Sequence, residues 1–91
     1  MIEVNIKMKN DKYDHIIETL FTTYSSLKKD TNEHYYTNEG DLGNIFGRCN
    51  ELMEHQWFRD NVEKFTWVVE DEDEEDLIKG FTKLLIEEGK L

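Results

Sequence analysis

The most unusual chemical feature of the chain is a run of seven consecutive carboxylates at residues 70–76. Such a run can bind cations, complement a helix N-terminus or contact the Lys and Arg side chains of another protein. Two or three acids suffice to complement a helix macrodipole, at about 0.3–1 kcal/mol each, whereas seven adjacent acids repel one another. The run therefore favours a role beyond capping a helix, although the purely structural interpretation stays open.

A calcium site of the EF-hand type does not fit the run. That loop requires a glycine at its sixth position and a glutamate at its twelfth. Counted from Asp71, these positions hold Asp76 and Thr82, and counted from Asp73 the sixth is Ile78. The spacing therefore argues against specific calcium binding.

The charge of the chain is concentrated in its second part. The net charge is −10, from 21 acids and 11 bases. Residues 1–30 hold five acids and five bases, so residues 31–91 carry the whole excess. Such a one-sided surplus attracts basic proteins and repels nucleic acid and anionic membranes. A folded array of carboxylates can also occupy the Lys and Arg array with which a protein binds the phosphates of DNA.

We therefore predict a partner-binding surface made of carboxylates, and no direct binding of nucleic acid. Its wider extent includes Glu33, Glu39 and Asp41, and Arg48 dilutes it. The predicted contact residues are Glu51, Glu54, Asp60, Glu63, Glu70, Asp71, Glu72, Asp73, Glu74, Glu75, Asp76, Glu87 and Glu88.

Other reactive side chains show no pattern typical of a catalytic or cofactor site. His15, His34 and His55 lack metal-ligand spacing with one another and with Cys49, and His15 is predicted to be solvent-exposed. Cys49 lies on an apolar helix stripe, which predicts a buried thiol. No glycine-rich phosphate loop or nucleophile elbow is present. We expect no cofactor, no metal and no enzymatic activity.

Three helices are predicted to position these side chains. The clearest covers about 11–27, with Asn10 as its N-cap and an apolar stripe that includes Ile16, Ile17 and Phe21. A second helix is predicted from Asp41 to about residue 57, with Leu42, Phe46 and Trp57 on its apolar side. The third covers about 73–88 and ends at Gly89.

The remaining apolar segments are predicted to form strands. Alternating apolar residues predict a half-buried strand at 2–8, and a second is predicted at 64–69. His34–Thr37 can form a third, ended by a turn at Asn38-Glu39-Gly40, and 28–33 is predicted to be a loop. The expected fold class is α+β, with a small sheet of two or three short strands packed with about three helices.

Residues 1–91 are expected to form one acidic domain. A sheet this small leaves exposed edges, which favours a homodimer. No segment is long and apolar enough to span a bilayer, no signal peptide is apparent, and one cysteine cannot form an internal disulfide. A cytoplasmic location with no membrane contact is predicted.

The chain resembles the phage-encoded DNA-mimic anti-restriction proteins, in particular the short early Arn-type proteins of T-even phages. The similarity lies in the size, the acidic excess over 41–76 and at Glu87 and Glu88, the single cysteine, and the Asn-, Lys- and Asp-rich segment 7–12. The resemblance implies a host-takeover protein, often dimeric, in the bacterial cytoplasm. Its implied target is a McrBC-type restriction nuclease or another DNA-binding protein of the host, such as a nucleoid protein.

Three alternatives share the acidic composition. An immunity-type inhibitor of one nuclease would depend on a few aromatic anchors such as Trp57 or Tyr36. An anti-CRISPR inhibitor would place its acids in a nucleic-acid channel of the effector. An acidic structural subunit would use the charge for solubility alone. The sequence does not separate these from DNA mimicry.

Overall fold

A computed structural model describes residues 1–91 as five strands and four helices. In chain order the elements are β1 (Ile2–Met8), α1 (Asp14–Thr23), β2 (Lys28–Thr31), β3 (His34–Thr37), α2 (Leu42–Glu54), α3 (Gln56–Asn61), β4 (Val62–Val69), β5 (Glu75–Asp76) and α4 (Leu77–Glu87).

The strands form one antiparallel sheet in the order β2-β3-β1-β4-β5. The first strand of the chain is central, because Ile2 pairs with Thr37 of β3 on one side and with Val69 of β4 on the other. The predicted small sheet of two or three strands with about three helices is therefore wrong, although the chain does combine a sheet with helices.

The two strands that the sequence did not predict are both polar. β2 is Lys-Lys-Asp-Thr with every side chain exposed, so it has no apolar alternation, and β5 has only two residues, both acidic. Each becomes a strand because its backbone pairs with a neighbour, β2 with β3 and β5 with β4. Side-chain periodicity carries no signal for such pairing, since the hydrogen bonds come from the main chain.

The helix predicted from Asp41 to residue 57 is two helices. His55 has extended backbone angles (φ −87°, ψ 126°), which end α2 and begin α3. After the break the side chain of Phe58 lies in the core, where its ring contacts that of Phe65 of β4 edge-on, with the ring centroids 5.2 Å apart. Apolar spacing continues across the break, so periodicity alone did not detect it.

The start of the first helix also differs from the prediction. Asn10 does not cap α1, because its Oδ1 accepts from the backbone N–H of Lys12 at 3.0 Å and so forms a turn before the helix. The helix begins at Asp14, after Tyr13, which makes no side-chain capping bond. The other end of the chain follows the prediction, since Gly89 adopts φ +75° and ends α4.

The four helices cover one face of the sheet. Along β1 the side chains of Ile2, Val4 and Ile6 are buried, while Glu3, Asn5 and Lys7, which alternate with them, are not. The buried set belongs to one core of 18 residues that also holds side chains from all four helices. The opposite face of the sheet is consequently left without a helix.

The sheet edges carry their own protection against pairing with another chain. β2 presents Lys28 and Lys29, and its register shifts between Lys29 and Thr31, while β5 is only two residues long. Charged side chains, bulges and short strands all discourage edge-to-edge association. Edge protection therefore gives no reason for a dimer, and the homodimer stays a prediction. No helix has the length and apolar character that crossing a membrane requires.

Asp76 makes the one capping contact within the acidic run. Its Oδ1 accepts from the backbone N–H of Lys79 at 3.1 Å, at the start of α4. We expect Asp76→Ala to lower the free energy of unfolding by about 1 kcal/mol, the usual cost of losing an N-cap. Glu74→Ala is the control, because it removes the same charge from an exposed carboxylate that makes no hydrogen bond. Equal urea midpoints for the two variants would contradict this role.

Candidate functional site

The acidic run forms the hairpin that joins β4 to β5, rather than the first turn of a helix. Residues 70–74 make up its loop, called here the hairpin loop, and Glu75 and Asp76 form β5. Two backbone bonds hold the loop: Glu70 N–H to the Met1 carbonyl at 2.8 Å, and Glu72 N–H to the Val69 carbonyl at 3.1 Å. Glu70 itself has φ 54°, the left-handed conformation that turns the chain out of β4.

Three acids of the run have a partner within the chain. Glu70 Oε2 accepts from the amino group of Met1 at 3.0 Å, and Glu75 Oε2 accepts from Trp67 Nε1 at 3.2 Å. Asp76 caps α4, as described above. These contacts attach both ends of the loop to the sheet and to α4.

The other four acids of the run, Asp71, Glu72, Asp73 and Glu74, are called here the free acids. All four are exposed, and their carboxylates take part in none of the side-chain hydrogen bonds or ion pairs of the fold. Asp71, Glu72 and Asp73 line a shallow concavity together with Glu75. Helix capping thus accounts for one acid of the run, and the free acids make no side-chain contact that stabilises the fold.

Four of the six predicted contact residues outside the run are paired with neighbouring bases. Glu51 pairs with Arg48 at 2.9 Å, and Lys90 pairs with both Glu54 at 3.1 Å and Glu88 at 3.3 Å. A weaker pair joins Glu63 to Lys7 at 4.0 Å. Asp60 and Glu87 are exposed without an ion pair.

The structure also separates these residues from the hairpin. Glu63 lies near the start of β4 and Glu70 follows its end, so about seven residues of strand, roughly 23 Å at 3.3 Å per residue, lie between them. Asp60 precedes Glu63, at the end of α3, and so is separated from the hairpin by still more residues. Glu54 lies at the last turn of α2, where Lys90 links it to the end of α4. The predicted residues therefore do not form one continuous surface.

Two further acids lie at the same end of the sheet as the hairpin loop. Glu39 and Asp41 follow β3, and the last residue of β3 and the last residue of β4 both pair with Ile2. The two strands therefore end about 10 Å apart, two strand spacings across β1. Asp41 is fixed there as the N-cap of α2, with its Oδ1 accepting from Asn44 N–H at 3.2 Å. We call Glu39, Asp41 and residues 70–76 together the acidic end.

The histidines do not form a metal site. His34 lies between Glu3 and Asp30, with its ring nitrogens 3.1 Å and 3.0 Å from their carboxylates, which ties β1 to the β2–β3 hairpin. No group of three or more His, Cys, Asp and Glu side chains is arranged to hold a metal ion. His15 is exposed, as predicted.

Cys49 is fully buried, as predicted, and so is Tyr35. Burial raises the pKa of the Cys49 thiol from its ordinary 9.0 to about 12. Burial, together with the nearby carboxylates of Glu18 and Asp14, raises the pKa of Tyr35 from 10.0 to about 12. Both groups stay protonated in the folded chain at neutral pH, so Cys49 has the character of a core residue and not of a nucleophile.

These two pKa values predict how stability responds to alkali. Above about pH 9 the unfolded chain releases protons from Cys49, and above about pH 10 from Tyr35, while the folded chain retains them. The stabilising contribution of these two groups is therefore complete below pH 9 and is lost as the pH rises to about 12. We expect Tyr35→Phe to remove about 2 kcal/mol of that decrease, measured by urea unfolding at about pH 8 and about pH 11.5. The same pH dependence in both proteins would contradict the assignment.

The aromatic residues that an immunity-type inhibitor would use as anchors are already engaged within the fold. Trp57 is half-buried between Tyr13 and His55, with ring centroids 4.5 Å and 5.6 Å away. Tyr36 is half-buried on the helix-free face of the sheet and stacks on His34 at 5.9 Å. The exposed large apolar residues of α2 are instead Leu42 and Phe46, at 42% and 41% exposure. The apolar side predicted for the second helix is therefore only partly buried, since its covered residues are Ile45, Cys49, Leu52 and Met53.

Comparison with known proteins adds no assignment: no protein-family model, curated protein or solved structure matches this chain. The similarity to DNA-mimic proteins stays a prediction.

Proposed function

We propose that this protein is a non-enzymatic inhibitor that occupies the basic DNA-binding surface of a host protein in the bacterial cytoplasm. The proposed targets are a restriction nuclease of the McrBC type or another bacterial DNA-binding protein, such as a nucleoid protein. The proposed contact surface is the acidic end, with the free acids at its centre.

The observation that carries the proposal is the contrast between two groups of acids. Glu51, Glu54 and Glu88 are paired with bases of the chain, whereas the free acids have no such partner. Four adjacent unpaired carboxylates repel one another, and a basic partner relieves that repulsion. The fold thus leaves four adjacent carboxylates available at one end.

The backbone of the hairpin supports the same proposal. The loop is attached by main-chain bonds at Glu70 and Glu72, and β5 pairs with β4 at Glu75 and Asp76. A partner that binds carboxylates on such a support loses less conformational entropy than one that must order a disordered acidic tail. Its Lys and Arg side chains can then contact carboxylates in place of phosphates.

The mechanism is electrostatic attraction followed by docking. The field of the acidic end steers a basic surface towards it and raises the association rate. Because such attraction is screened by salt, inhibition is expected to weaken steeply as ionic strength rises. A partner already covered by this protein cannot bind DNA at the same surface.

A competition assay tests the proposal. The purified protein is titrated against complexes of labelled duplex DNA with a McrBC-type nuclease and with nucleoid proteins, at roughly 50 and 200 mM salt. Displacement of DNA that is strong at low salt and weak at moderate salt is the expected result. Displacement from several unrelated proteins would favour mimicry over an inhibitor of one nuclease. No displacement from any of them would refute the proposed function.

The predicted homodimer belongs to the proposal as a separate component. Pairing of two copies would lengthen the acidic surface that a DNA-binding protein meets. Sedimentation equilibrium measures it directly: a single species of 10.9 kDa would exclude the dimer and leave the rest of the proposal in place.

A further inference from the structure

A small apolar groove opens beside the acidic end, between α2 and α4. Phe46, Gly80, Phe81 and Leu84 line it, with Glu75 and Asp76 at one end, and it holds about 220 Å³. That volume accommodates one large side chain rather than a drug-sized ligand. The groove therefore suits a single anchor residue from another protein.

The apolar residues that α2 contributes at the groove are only partly buried by the rest of the fold. The ring of Phe46 contacts Phe81 at 5.0 Å and Trp67 at 5.7 Å, yet Phe46 remains 41% exposed. Leu42, one turn earlier on α2, is 42% exposed. Adjacent exposed apolar side chains with a polar rim are typical of surfaces that bind another protein.

Gly80 is the one lining residue of the groove without a side chain. It lies inside α4, where glycine is among the least favourable residues, and a Cβ at this position would meet no atom within 4 Å. The packing of the fold therefore does not require a glycine here. Because Gly80 lies one turn from Leu77 and Leu84, which also line the groove, a side chain at this position would lie on the groove side of α4.

The charges at the rim indicate which partner fits. Glu75 and Asp76 are exposed carboxylates at one end of the groove, and the free acids precede them directly in the hairpin. We propose that the groove receives one large apolar side chain from a basic segment of the target, while the flanking Lys or Arg side chains contact Glu75 and the free acids. This inference rests on the proposed function and adds an apolar anchor to its electrostatic contact.

A second copy of the chain is the rival occupant. The exposed side of α4 at Ile86 carries Lys79 and Lys83 and combines apolar and basic residues as the proposed partner does. It lies on a different side of α4 from Gly80, however, so a two-fold pair would have to place this side of each copy against the groove of the other at the same time. A basic segment of another protein needs no such arrangement.

The experiment compares Gly80→Leu with Gly47→Leu. Both replace an exposed glycine inside a helix with a good helix former, and neither position has an atom within 4 Å of the new Cβ. Only Gly80 lines the groove. Affinity is measured for whichever DNA-binding protein of the panel is displaced. We expect Gly80→Leu to weaken binding about tenfold or more with an unchanged salt dependence, as for a lost apolar anchor, and Gly47→Leu to have no effect.

A second measurement separates failure of the groove from failure of the proposed function. Amide chemical shifts of the protein are followed during titration with a capped peptide Lys-Lys-Leu-Lys-Lys and with its Ala-centred counterpart. Leu-dependent shifts at Phe46 and Gly80 that Gly80→Leu abolishes would support the groove even if no DNA-binding protein is displaced. Identical shifts with both peptides, equal affinities of the two glycine variants, or self-association lost only in Gly80→Leu would each overturn the inference.

Discussion

Neutralising the free acids, as Asp71→Asn, Glu72→Gln, Asp73→Asn and Glu74→Gln together, is expected to weaken DNA competition on the order of 100-fold at low salt. The estimate takes about 0.5–1 kcal/mol for each carboxylate that meets a Lys or Arg at the contact surface. The salt dependence of competition should become shallower in the variant, because fewer charge pairs remain to be screened. Competition titrations at several salt concentrations measure both quantities.

The folded state of this variant should be intact. None of the four carboxylates accepts a hydrogen bond or forms an ion pair within the chain, so no contact that stabilises the fold is lost. Removing four adjacent negative charges relieves their mutual repulsion and is expected to leave the urea midpoint unchanged or slightly higher. Lost competition with an unchanged midpoint is therefore an effect on binding.

A second quadruple variant provides the matched control. Glu51→Gln, Glu54→Gln, Glu87→Gln and Glu88→Gln together remove the same four charges, but three of these acids are already paired with Arg48 or Lys90. We expect a reduction of competition by less than about fivefold, from the change in net charge alone. Equal losses in the two variants would mean that total charge, and not the acidic end, determines binding.

The largest expected effect on stability is that of Phe65→Ala. Phe65 is 0% exposed, pairs with Ile6 across the sheet and contacts Phe58 edge-on, so it joins β1, β4 and α3. Truncation to Ala is expected to cost about 3–5 kcal/mol, from lost burial and the cavity left behind. For a domain of this size that is a large part of the total stability. Urea unfolding monitored by tryptophan fluorescence measures it.

Val68→Ala on the same strand is the control for the helix-free face of the sheet. Val68 pairs with Glu3, on the face opposite to Phe65, and is only half-buried. Its truncation should cost less than about 1 kcal/mol, since fewer packing contacts are lost. Similar losses for Val68→Ala and Phe65→Ala would contradict a sheet covered on one face.

The acidic end differs from the candidate surface of the sequence in composition and in shape. The contact residues predicted from the sequence were chosen by charge density alone, because the sequence contains no information on which Lys or Arg lies within reach of which carboxylate. Lys90 is 36 residues from Glu54 in the chain, yet it pairs with Glu54 in the fold. Such long-range pairs decide which acids remain available to a partner.

The sequence by itself determined the elements whose side chains alternate or repeat. β1, β3, the centre of α1, most of α2, most of β4 and α4 could be predicted, because their apolar residues follow the period of a strand or a helix and must face a core. The same reasoning predicted burial of Cys49, the end of α4 at Gly89, and a concentration of charge in residues 70–76. In each case the information lies within a few neighbouring residues.

Only the tertiary structure decided the rest. β2 and β5 are strands through main-chain pairing, to which polar side chains contribute no pattern, and the break at His55 is not marked by the apolar spacing, which continues across it. The acidic run is a hairpin because β5 pairs with β4, so most of its acids project from a loop and do not cap a helix. The open groove at Gly80 and the pairing of Glu54 with Lys90 likewise depend on segments distant in sequence. Their positions follow from how the whole chain packs around one core.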